Sequence, residues 1–367
     1  MPLSKIPAAA FAADPGVNFR NLIINGDMSI AQRGTSSSSV STAGYHSVDR
    51  FRIALENAGT FTVSQSSDVP TGQGFQKSFK LDCTTADASL ASGDINTFEQ
   101  RIEGQNLQYL KKGTSNAESV TVSFWVKTNK TGTYVFELID NDNSRHIAKT
   151  FTVDSSSTWE KKTLTFAGDT SGALTYDNST AMTIRIWLSA GSDFQGGTLP
   201  SSWQSASGTN RAVGQTVNLA DNTANEWYIT GVQLEVGTSA SDFEFLPYDV
   251  NLKRCYRYYY KRTTQSDNGF YGVGNADGPT ATQILVPFLV EMRDRPTALE
   301  QSGTASNYKI RTRTNQTCDA VPVYFGANKF GGIVNFRRLS NHDASDRDCV
   351  FGASNGNAGF LAWDTEL

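Results

Sequence analysis

The sequence of 367 residues predicts an all-β protein, and three observations lead to that prediction. Charged residues make up only 19% of the chain, below the usual quarter, while glycine, serine, threonine and asparagine are abundant. Short runs of alternating apolar and polar residues recur along the chain, bounded by turn residues. A hydrophobic content of 38% is sufficient for folded cores. We therefore expect two β-domains, of which the second and smaller is a β-sandwich.

The chain divides into three segments by composition. Residues 1–20 contain three prolines among alanines, and because proline fixes φ and cannot join a helix interior, we expect an extended N-terminal attachment arm. Residues 21–250 form the first predicted domain, whose first strand is NLIING at residues 21–26. Residues 251–367 form the C-terminal β-domain.

The best-defined strands form a meander at residues 118–168. In ESVTVSFWVKT the aliphatic residues share one face, so Trp125 and Lys127 share the other. The same alternation in TIRIWLS directs the isoleucines inward and directs Arg185 and Trp187 outward. Two tryptophans are thus predicted on the polar faces of sheets.

Charge and hydropathy exclude several classes of partner. A net charge of −4 provides no concentrated positive field, so we expect no nucleic-acid binding. No apolar run reaches the roughly 18 residues of a membrane span, so we expect no membrane insertion. The N-terminal apolar run is too short and too interrupted for a secretory signal, which favours synthesis in a cytoplasm. The four cysteines are widely spaced and are interpreted as reduced thiols: Cys83, Cys255, Cys318 and Cys349.

The segment between the two domains combines a strand pattern with a cluster of tyrosines and basic residues. WYITGVQLEVG alternates as a strand, with Gly231 interrupting the register as in a bulge. The following DVNLKRCYRYY predicts a short helix, with a strand through its tyrosines as the alternative. Because tyrosine and arginine are enriched in interfaces, we expect four residues to pack between domains or around a trimer axis. They are Arg254, Arg257, Tyr258 and Tyr259.

Three ordered motifs resemble a known family. NLIINGDMSIAQRGTS, YHSVDRFR, and WYITGVQLEVG followed by DFEFLPYD and RCYRYYYK resemble, in their order and spacing, bacteriophage tail-fibre proteins with a carbohydrate-binding-module-like jelly roll. The resemblance covers roughly residues 18–262 and implies a jelly-roll β-sandwich for the first domain. It further implies a homotrimeric virion component, made in the host cytoplasm, that joins other phage tail proteins through its N-terminal arm. Its partner would be a host surface polysaccharide.

Sugar recognition requires flat aromatic surfaces for pyranose rings and polar groups for their hydroxyls. Two of the candidate tryptophans lie on the predicted outer faces. A third lies in the loop GGTLPSSWQSASG and is a candidate because loops often carry recognition. The alternative is that these side chains pack under a loop, against another subunit, or hold a long loop down. The candidate carbohydrate-binding residues are Trp125, Trp187, Trp203, Arg185, Glu137 and Lys127.

The resemblance also raises the question of a structural calcium ion. Carbohydrate-binding jelly rolls of this type hold calcium between an N-terminal strand and an acidic pair on the last strand. Asp27 could supply an oxygen ligand, but Thr230 and Gly231 occupy the place of the acidic pair. We therefore expect no cofactor, with Asp27 as the candidate ligand if calcium binds.

The sequence favours binding over catalysis. The match of residues 352–356 to G-x-S-x-G is interpreted as a hairpin turn, because no histidine follows it. Two carboxylates would suffice for glycoside hydrolysis, so a glycan-degrading enzyme is one alternative. A purely structural virion adaptor or decoration protein without a ligand is the other.

Overall fold

The protein folds into two compact units, as a computed structural model that describes residues 19–264, 266–345 and 347–367 shows. The first unit extends to Pro247, and the second spans Tyr248–Leu367. The predicted attachment arm lies outside the described residues except for its last two positions. No helix in the described ranges is long and apolar enough to cross a membrane.

The first unit is a sandwich of two antiparallel six-stranded sheets. The first sheet has the strand order β1-β3-β4-β12-β6-β9, and the second has the order β11-β8-β7-β10-β5-β2. The strands are β1 Ser36–Val40, β2 Arg52–Glu56, β3 Thr60–Ser66, β4 Ser78–Thr85, β5 Ile95–Glu103, β6 Val120–Thr128, β7 Gly132–Asp140, β8 Arg145–Val153, β9 Glu160–Phe166, β10 Thr180–Ala190, β11 Gln204–Ser205 and β12 Glu226–Val236. This arrangement confirms the all-β prediction and its jelly-roll sandwich.

The core of the first unit lies between its two sheets. Phe124 of β6 stacks on Phe136 of β7 with ring centroids 5.9 Å apart, and Phe98 of β5 contacts Trp227 of β12 at 5.3 Å. The alternation predicted for β6 and β10 is confirmed, since their aliphatic residues belong to this core. The side chains between them therefore face outward from the sandwich.

Residues 21–26 are buried but form turns, so the predicted strand NLIING is wrong. The amide of Gln100 replaces a sheet partner: its Oε1 accepts from the Ile24 N–H at 2.8 Å and its Nε2 donates to the Ile24 carbonyl at 2.9 Å. The Gly26 carbonyl accepts from the Val232 N–H at 2.9 Å. The segment is thus fixed to β12 by separate hydrogen bonds without a continuous ladder.

The described part of the second unit contains an α-helix and a second, smaller sandwich. A three-stranded sheet, β13-β22-β16, and a seven-stranded sheet, β18-β17-β21-β14-β15-β20-β19, enclose a separate core. The elements are α1 Tyr248–Tyr256, β13 Tyr259–Thr263, β14 Phe270–Ala276, β15 Ala281–Pro287, β16 Glu300–Gln301, β17 Tyr308–Arg311, β18 Asn315–Thr317, β19 Ala320–Asn328, β20 Gly331–Arg337, β21 Cys349–Ser354 and β22 Phe360–Asp364. The tyrosine cluster thus contributes to a helix and then to a strand.

Candidate functional site

The predicted sugar-binding residues lie on two different sheets. Trp125 and Lys127 belong to β6 of the first sheet, whereas Arg185, Trp187 and Glu137 belong to β10 and β7 of the second. Because all of these side chains point away from the shared core, the two groups occupy opposite outer faces. The sequence predicts that these residues form one site if their strands are neighbours, and the structure instead separates them into two groups.

Trp187 is enclosed, which corrects its prediction as an accessible stacking surface. Its exposed fraction is 1%, and its ring packs 5.1 Å from that of Phe194, which lies in the segment after β10. The indole Nε1 donates to Glu137 Oε2 at 3.1 Å. A sugar cannot reach this ring without displacing the segment that covers it.

Glu137 is fully buried at the centre of an ionic network on the second sheet. Its Oε1 lies 2.9 Å from His146 Nδ1 and 3.1 Å from Arg211 Nε, and Arg185 lies 3.7 Å from its Oε2. Burial alone would raise the pKa of Glu137, but the histidine contact and the two guanidinium groups outweigh burial and lower it. The carboxylate is therefore ionised and saturated with partners, which fits a structural role.

Trp203 anchors its own loop to the rest of the first unit. Its Nε1 donates to the Ala167 carbonyl at 2.8 Å, and Lys112 Nζ lies 4.9 Å from the ring centroid. Lys112 is itself buried in ion pairs with Asp140 and Asp169. These contacts match the loop-anchor alternative for Trp203.

The outer face of the first sheet brings four side chains into a lysine–aromatic row, consisting of Lys80, Tyr228, Lys127 and Trp159. Tyr228 on β12 is directly opposite Lys80 on β4 and Lys127 on β6. Trp159 immediately precedes β9 and extends the row. Lys127 Nζ lies 4.7 Å from the Tyr228 centroid and 6.0 Å from that of Trp159. Both cations thus lie over aromatic faces, where they are attracted by the ring quadrupole.

Two carboxylates complete the hydrogen bonding of the row. Trp159 Nε1 donates to Asp68 Oδ1 at 2.9 Å, and Lys127 pairs with the same carboxylate. Tyr228 donates its hydroxyl to Glu226 Oε2 at 2.8 Å, and Lys80 Nζ lies 2.6 Å from Glu226 Oε1. The row therefore offers ammonium donors and carboxylate acceptors beside two aromatic rings.

The protonation states of the row are fixed at neutral pH. Partial burial would raise the pKa of Asp68, but hydrogen bonds led by that from Lys127 outweigh it and lower the pKa. For Glu226, burial is likewise outweighed, chiefly by the hydrogen bond from Lys80, and its pKa is lowered. Burial and the bond to Glu226 raise the pKa of Tyr228 to about 12. The carboxylates are therefore ionised and the phenol is neutral.

Trp125 lies beside this row on the same face. Along β6 it is two residues from Lys127, so both side chains point outward. Its cross-strand neighbours are Thr230 on β12 and Lys161 on β9. Trp125 and Trp159 are both only partly buried, which leaves indole surface accessible to a ligand.

The sequence reasoning missed Trp159, although a signal was present. In TWEKKTLTF the core residues Leu164 and Phe166 alternate with Thr163 and Thr165. Extending that alternation backwards places Trp159 on the outward face. Its role becomes visible only with the strand order, because β9 pairs with β6.

Asp27, the candidate calcium ligand, lies beside two hydroxyl side chains. Its Oδ1 accepts from the Ser29 hydroxyl at 3.1 Å, and the Thr230 hydroxyl lies 3.5 Å from its carbonyl oxygen. No group of three or more His, Cys, Asp or Glu residues that could hold a metal occurs in the described ranges. Calcium sites are rich in carboxylate oxygens, and Thr230 and Gly231 stand where the acidic pair of such jelly rolls would lie, so those carboxylate ligands are missing.

The two tyrosines of the predicted interface are buried. Tyr258 and Tyr259 are each 1% exposed, and the Tyr259 hydroxyl donates to Glu300 Oε2 at 2.8 Å. The carbonyl of Arg257 accepts from the Arg293 N–H at 2.7 Å, and Arg254 lies in the last turn of α1. The two tyrosines therefore present almost no surface to solvent.

Comparison with known proteins gives a likeness to solved structures alone. No family model and no curated protein matches the chain. Similar structures include the enzymatically active domain of tailspike protein 4 from bacteriophage CBA120, which is 13% identical with a TM-score of 0.32; the match covers 59% of this chain and 22% of the tailspike. A protein from Bacteroides thetaiotaomicron described as a putative sugar binding protein is 13% identical with a TM-score of 0.33, covering 59% of this chain and all of the other.

A family 22 carbohydrate binding module from Clostridium thermocellum is also similar. It is 13% identical with a TM-score of 0.28, and the match covers 57% of this chain and 98% of the module. The chain thus matches less than a quarter of the tailspike's length but nearly the whole of the smaller protein and the module. At such identities and TM-scores, these comparisons assign no activity, substrate or partner to this chain.

Proposed function

We propose that the lysine–aromatic row, with Trp125 beside it, binds glycans, and that the chain is a non-enzymatic adsorption protein of a bacteriophage tail fibre. The observation that carries the proposal is the pair of partly exposed indoles, Trp125 and Trp159, on one outer face. An indole can stack on the apolar face of a pyranose ring. The neighbouring lysines and carboxylates can hydrogen-bond its hydroxyls.

The setting of the site is a virion that meets a host surface polysaccharide. The ordered motifs that resemble tail-fibre proteins support this part of the proposal. A homotrimer would present three such sites on each fibre, and several fibres would multiply weak single-site affinities through effective concentration. The N-terminal arm would join the fibre to other tail proteins.

The electrostatics of the row favour binding over hydrolysis. A glycosidase of the usual type requires one carboxyl with a raised pKa to act as the general acid, paired with an ionised carboxylate. The pKa values of Asp68 and Glu226 are both lowered. We therefore expect no release of reducing ends when the protein is incubated with a polysaccharide that it binds, and such release would contradict the non-enzymatic proposal.

The direct test is to remove each indole and measure glycan binding. Wild type and the variants Trp125→Ala and Trp159→Ala are screened on an array of bacterial surface polysaccharides, and hits are quantified by calorimetry. We expect each substitution to weaken binding by at least about fivefold, since stacking of an aromatic ring contributes about 1 kcal/mol or more. The matched control is Tyr176→Ala, because Tyr176 is 50% exposed but lies in the connection between β9 and β10.

The outcomes separate the alternatives. Weakened binding by both tryptophan variants with an unchanged control supports a glycan site on the first sheet. Binding that none of the variants changes places the glycan elsewhere on the molecule. Wild-type protein that binds no glycan but is still incorporated into virions supports a purely structural adaptor.

A further inference from the structure

The seven-stranded sheet of the second unit has one face in the core and an apolar outer face. Five large apolar side chains on this outer face form what we call the apolar band. Their exposed fractions are 44% for Phe270, 46% for Val273, 51% for Leu285, 54% for Phe325 and 38% for Phe351. An ordinary solvated sheet face would carry polar side chains at these positions.

The register of the strands makes the band continuous. Val273 on β14 is directly opposite both Phe351 on β21 and Leu285 on β15. Phe270 packs on Phe351 with ring centroids 4.9 Å apart. Phe325, on β19, lies at a bulge in the pairing with β20. The band is therefore continuous across β21, β14 and β15, and Ile333 of β20, opposite both Leu285 and Gly326, separates it from Phe325.

The border along one side of the band is polar but uncharged. The neighbouring cross-strand row consists of Cys349, Asn275, Gln283 and Asn335. The interior of a protein–protein interface is likewise depleted of charged residues. On the other side of the band, Arg311 of β17 is directly opposite Phe351, and its guanidinium lies 5.4 Å from the Phe270 ring centroid.

The size of the band agrees with the apolar part of an ordinary interface. If a whole aromatic side chain presents roughly 150–250 Å², the exposed fractions of the band amount to on the order of 400 Å². A standard interface buries about 800 Å² per partner, of which about 56–65% is apolar. The band, together with its polar border, therefore matches what one partner in a stable complex contributes.

We propose that the apolar band is the surface through which copies of this chain associate. The proposal rests on the proposed function only in that a fibre contains several copies of the chain. The proposal assigns association to this exposed band instead of to the tyrosine cluster, whose tyrosines are buried. The occupant is a second copy because the band and its polar border have the area that self-association requires.

The test is the mass of the full chain in solution, measured by light scattering and sedimentation velocity. We expect wild type to be oligomeric at about 50 μM. Val273→Asp and Leu285→Lys should each shift the association equilibrium at least tenfold toward monomer, because each substitution buries a charge in the contact. Leu339→Lys is the matched control, since Leu339 is 83% exposed in the same unit but outside the band. Circular dichroism establishes that each variant is folded.

Cys349 provides an independent readout on the same face. The other three cysteines are buried, so alkylation of the folded chain reports on the exposed thiol of Cys349. We expect its alkylation rate to fall severalfold as wild type is concentrated from about 1 to about 50 μM, with no such fall for Leu285→Lys. Oligomeric wild type with a concentration-dependent rate supports the proposal.

Monomeric wild type at the higher concentration would overturn the proposal, and so would an oligomer whose mass neither band variant changes. The glycan assay separates this result from the proposed function. Leu285→Lys should retain the calorimetric affinity of each site while losing avidity on an immobilised polysaccharide. If the protein binds no glycan, the mass measurement still tests association through the band. If wild type is monomeric, the single-site affinity still tests the proposed function.

Discussion

Individual outward-facing side chains of the first unit have opposite environments on the two sheets. Glu137 and Trp187 are almost fully buried, while Trp125 and Trp159 remain partly exposed. The difference arises from what lies over each sheet, because Arg211 and Phe194, from the segment between β10 and β12, contact the buried pair. A residue's usefulness for binding is therefore decided by a segment distant in sequence.

Replacing Glu137 with glutamine should strongly destabilise the first unit. The neutral amide removes the buried carboxylate that pairs with Arg211 and leaves Arg185 with Glu99 alone. Breaking a buried ion pair by removing one partner costs about 3–5 kcal/mol. The measurement is the free energy of unfolding from urea titration at pH 7.

The matched control is Glu118→Gln. Glu118 pairs with Lys111 at 2.6 Å, but both side chains are exposed. An exposed pair contributes about 0–1 kcal/mol, so this variant should be close to wild type. Equal effects of the two substitutions would show that the buried network adds nothing beyond a surface pair.

Sequence alternation sufficed to orient single residues but not to group them. It correctly directed Trp125 and Trp187 outward, because the period of two in a strand is a local property. It could not separate them onto opposite faces, since strand pairing depends on contacts between distant segments. The burial of Trp187 was not predictable for the same reason.

At the scale of elements, β12 holds the N-terminal segment and tolerates little change where the two meet. A Cβ atom on Gly26 would lie 2.1 Å from the Val232 carbonyl oxygen. Gly231 has a φ of +64°, and a Cβ there would meet the Phe75 ring at 2.6 Å. Both glycines belong to the motifs that the sequence analysis singled out, and close packing requires both, Gly26 against β12 and Gly231 against Phe75.

We predict that Gly26→Ala destabilises the protein by about 1–3 kcal/mol or more, because the added methyl group meets a backbone atom that cannot move aside. Gly208→Ala is the control, since nothing lies within 4 Å of the added Cβ and its φ is not positive. The thermal midpoint of unfolding by circular dichroism measures both variants. A Gly26→Ala protein as stable as the control would contradict the close approach.

Element types were predicted best where the pattern was long and regular. The bulge at Gly231 is present as a register shift between Thr230 and Gln233. The helix DVNLKRCYRYY is present as α1, with β13 following at Tyr259. The prediction of a strand at residues 21–26 was wrong because the backbone of this buried segment bonds to the side chain of Gln100. A local sequence pattern cannot reveal such a partner.

The whole molecule has its ionised groups arranged so that acid destabilises it. Five partly or fully buried carboxyls have a pKa lowered by ion pairs and hydrogen bonds that outweigh burial: Asp68, Glu137, Glu160, Asp169 and Glu226. A carboxyl whose folded-state pKa is below its unfolded value stabilises the protein above the unfolded pKa. That stability is lost as pH falls through the folded pKa.

Two other groups modify this balance. Burial lowers the pKa of His46, so protonation of this residue also favours the unfolded state as pH falls below about 6.5. Burial raises the pKa of Asp49, so its contribution has the opposite sign and stability is gained as this carboxyl is protonated. The five carboxyls with a lowered pKa outnumber Asp49, and the net effect of acid is destabilising.

We therefore predict that the free energy of unfolding falls steadily from about pH 5 to pH 3, since unfolded carboxyls titrate near pH 4. The sharper measurement compares wild type with Glu137→Gln in urea across this range. Protonation of Glu137 removes from wild type the same charge that the substitution removes, so the stability difference between the two proteins should shrink as pH falls. A difference that stays constant from pH 7 to pH 3 would show that the loss in Glu137→Gln comes from altered packing and that the ionised network of the second sheet does not stabilise the fold.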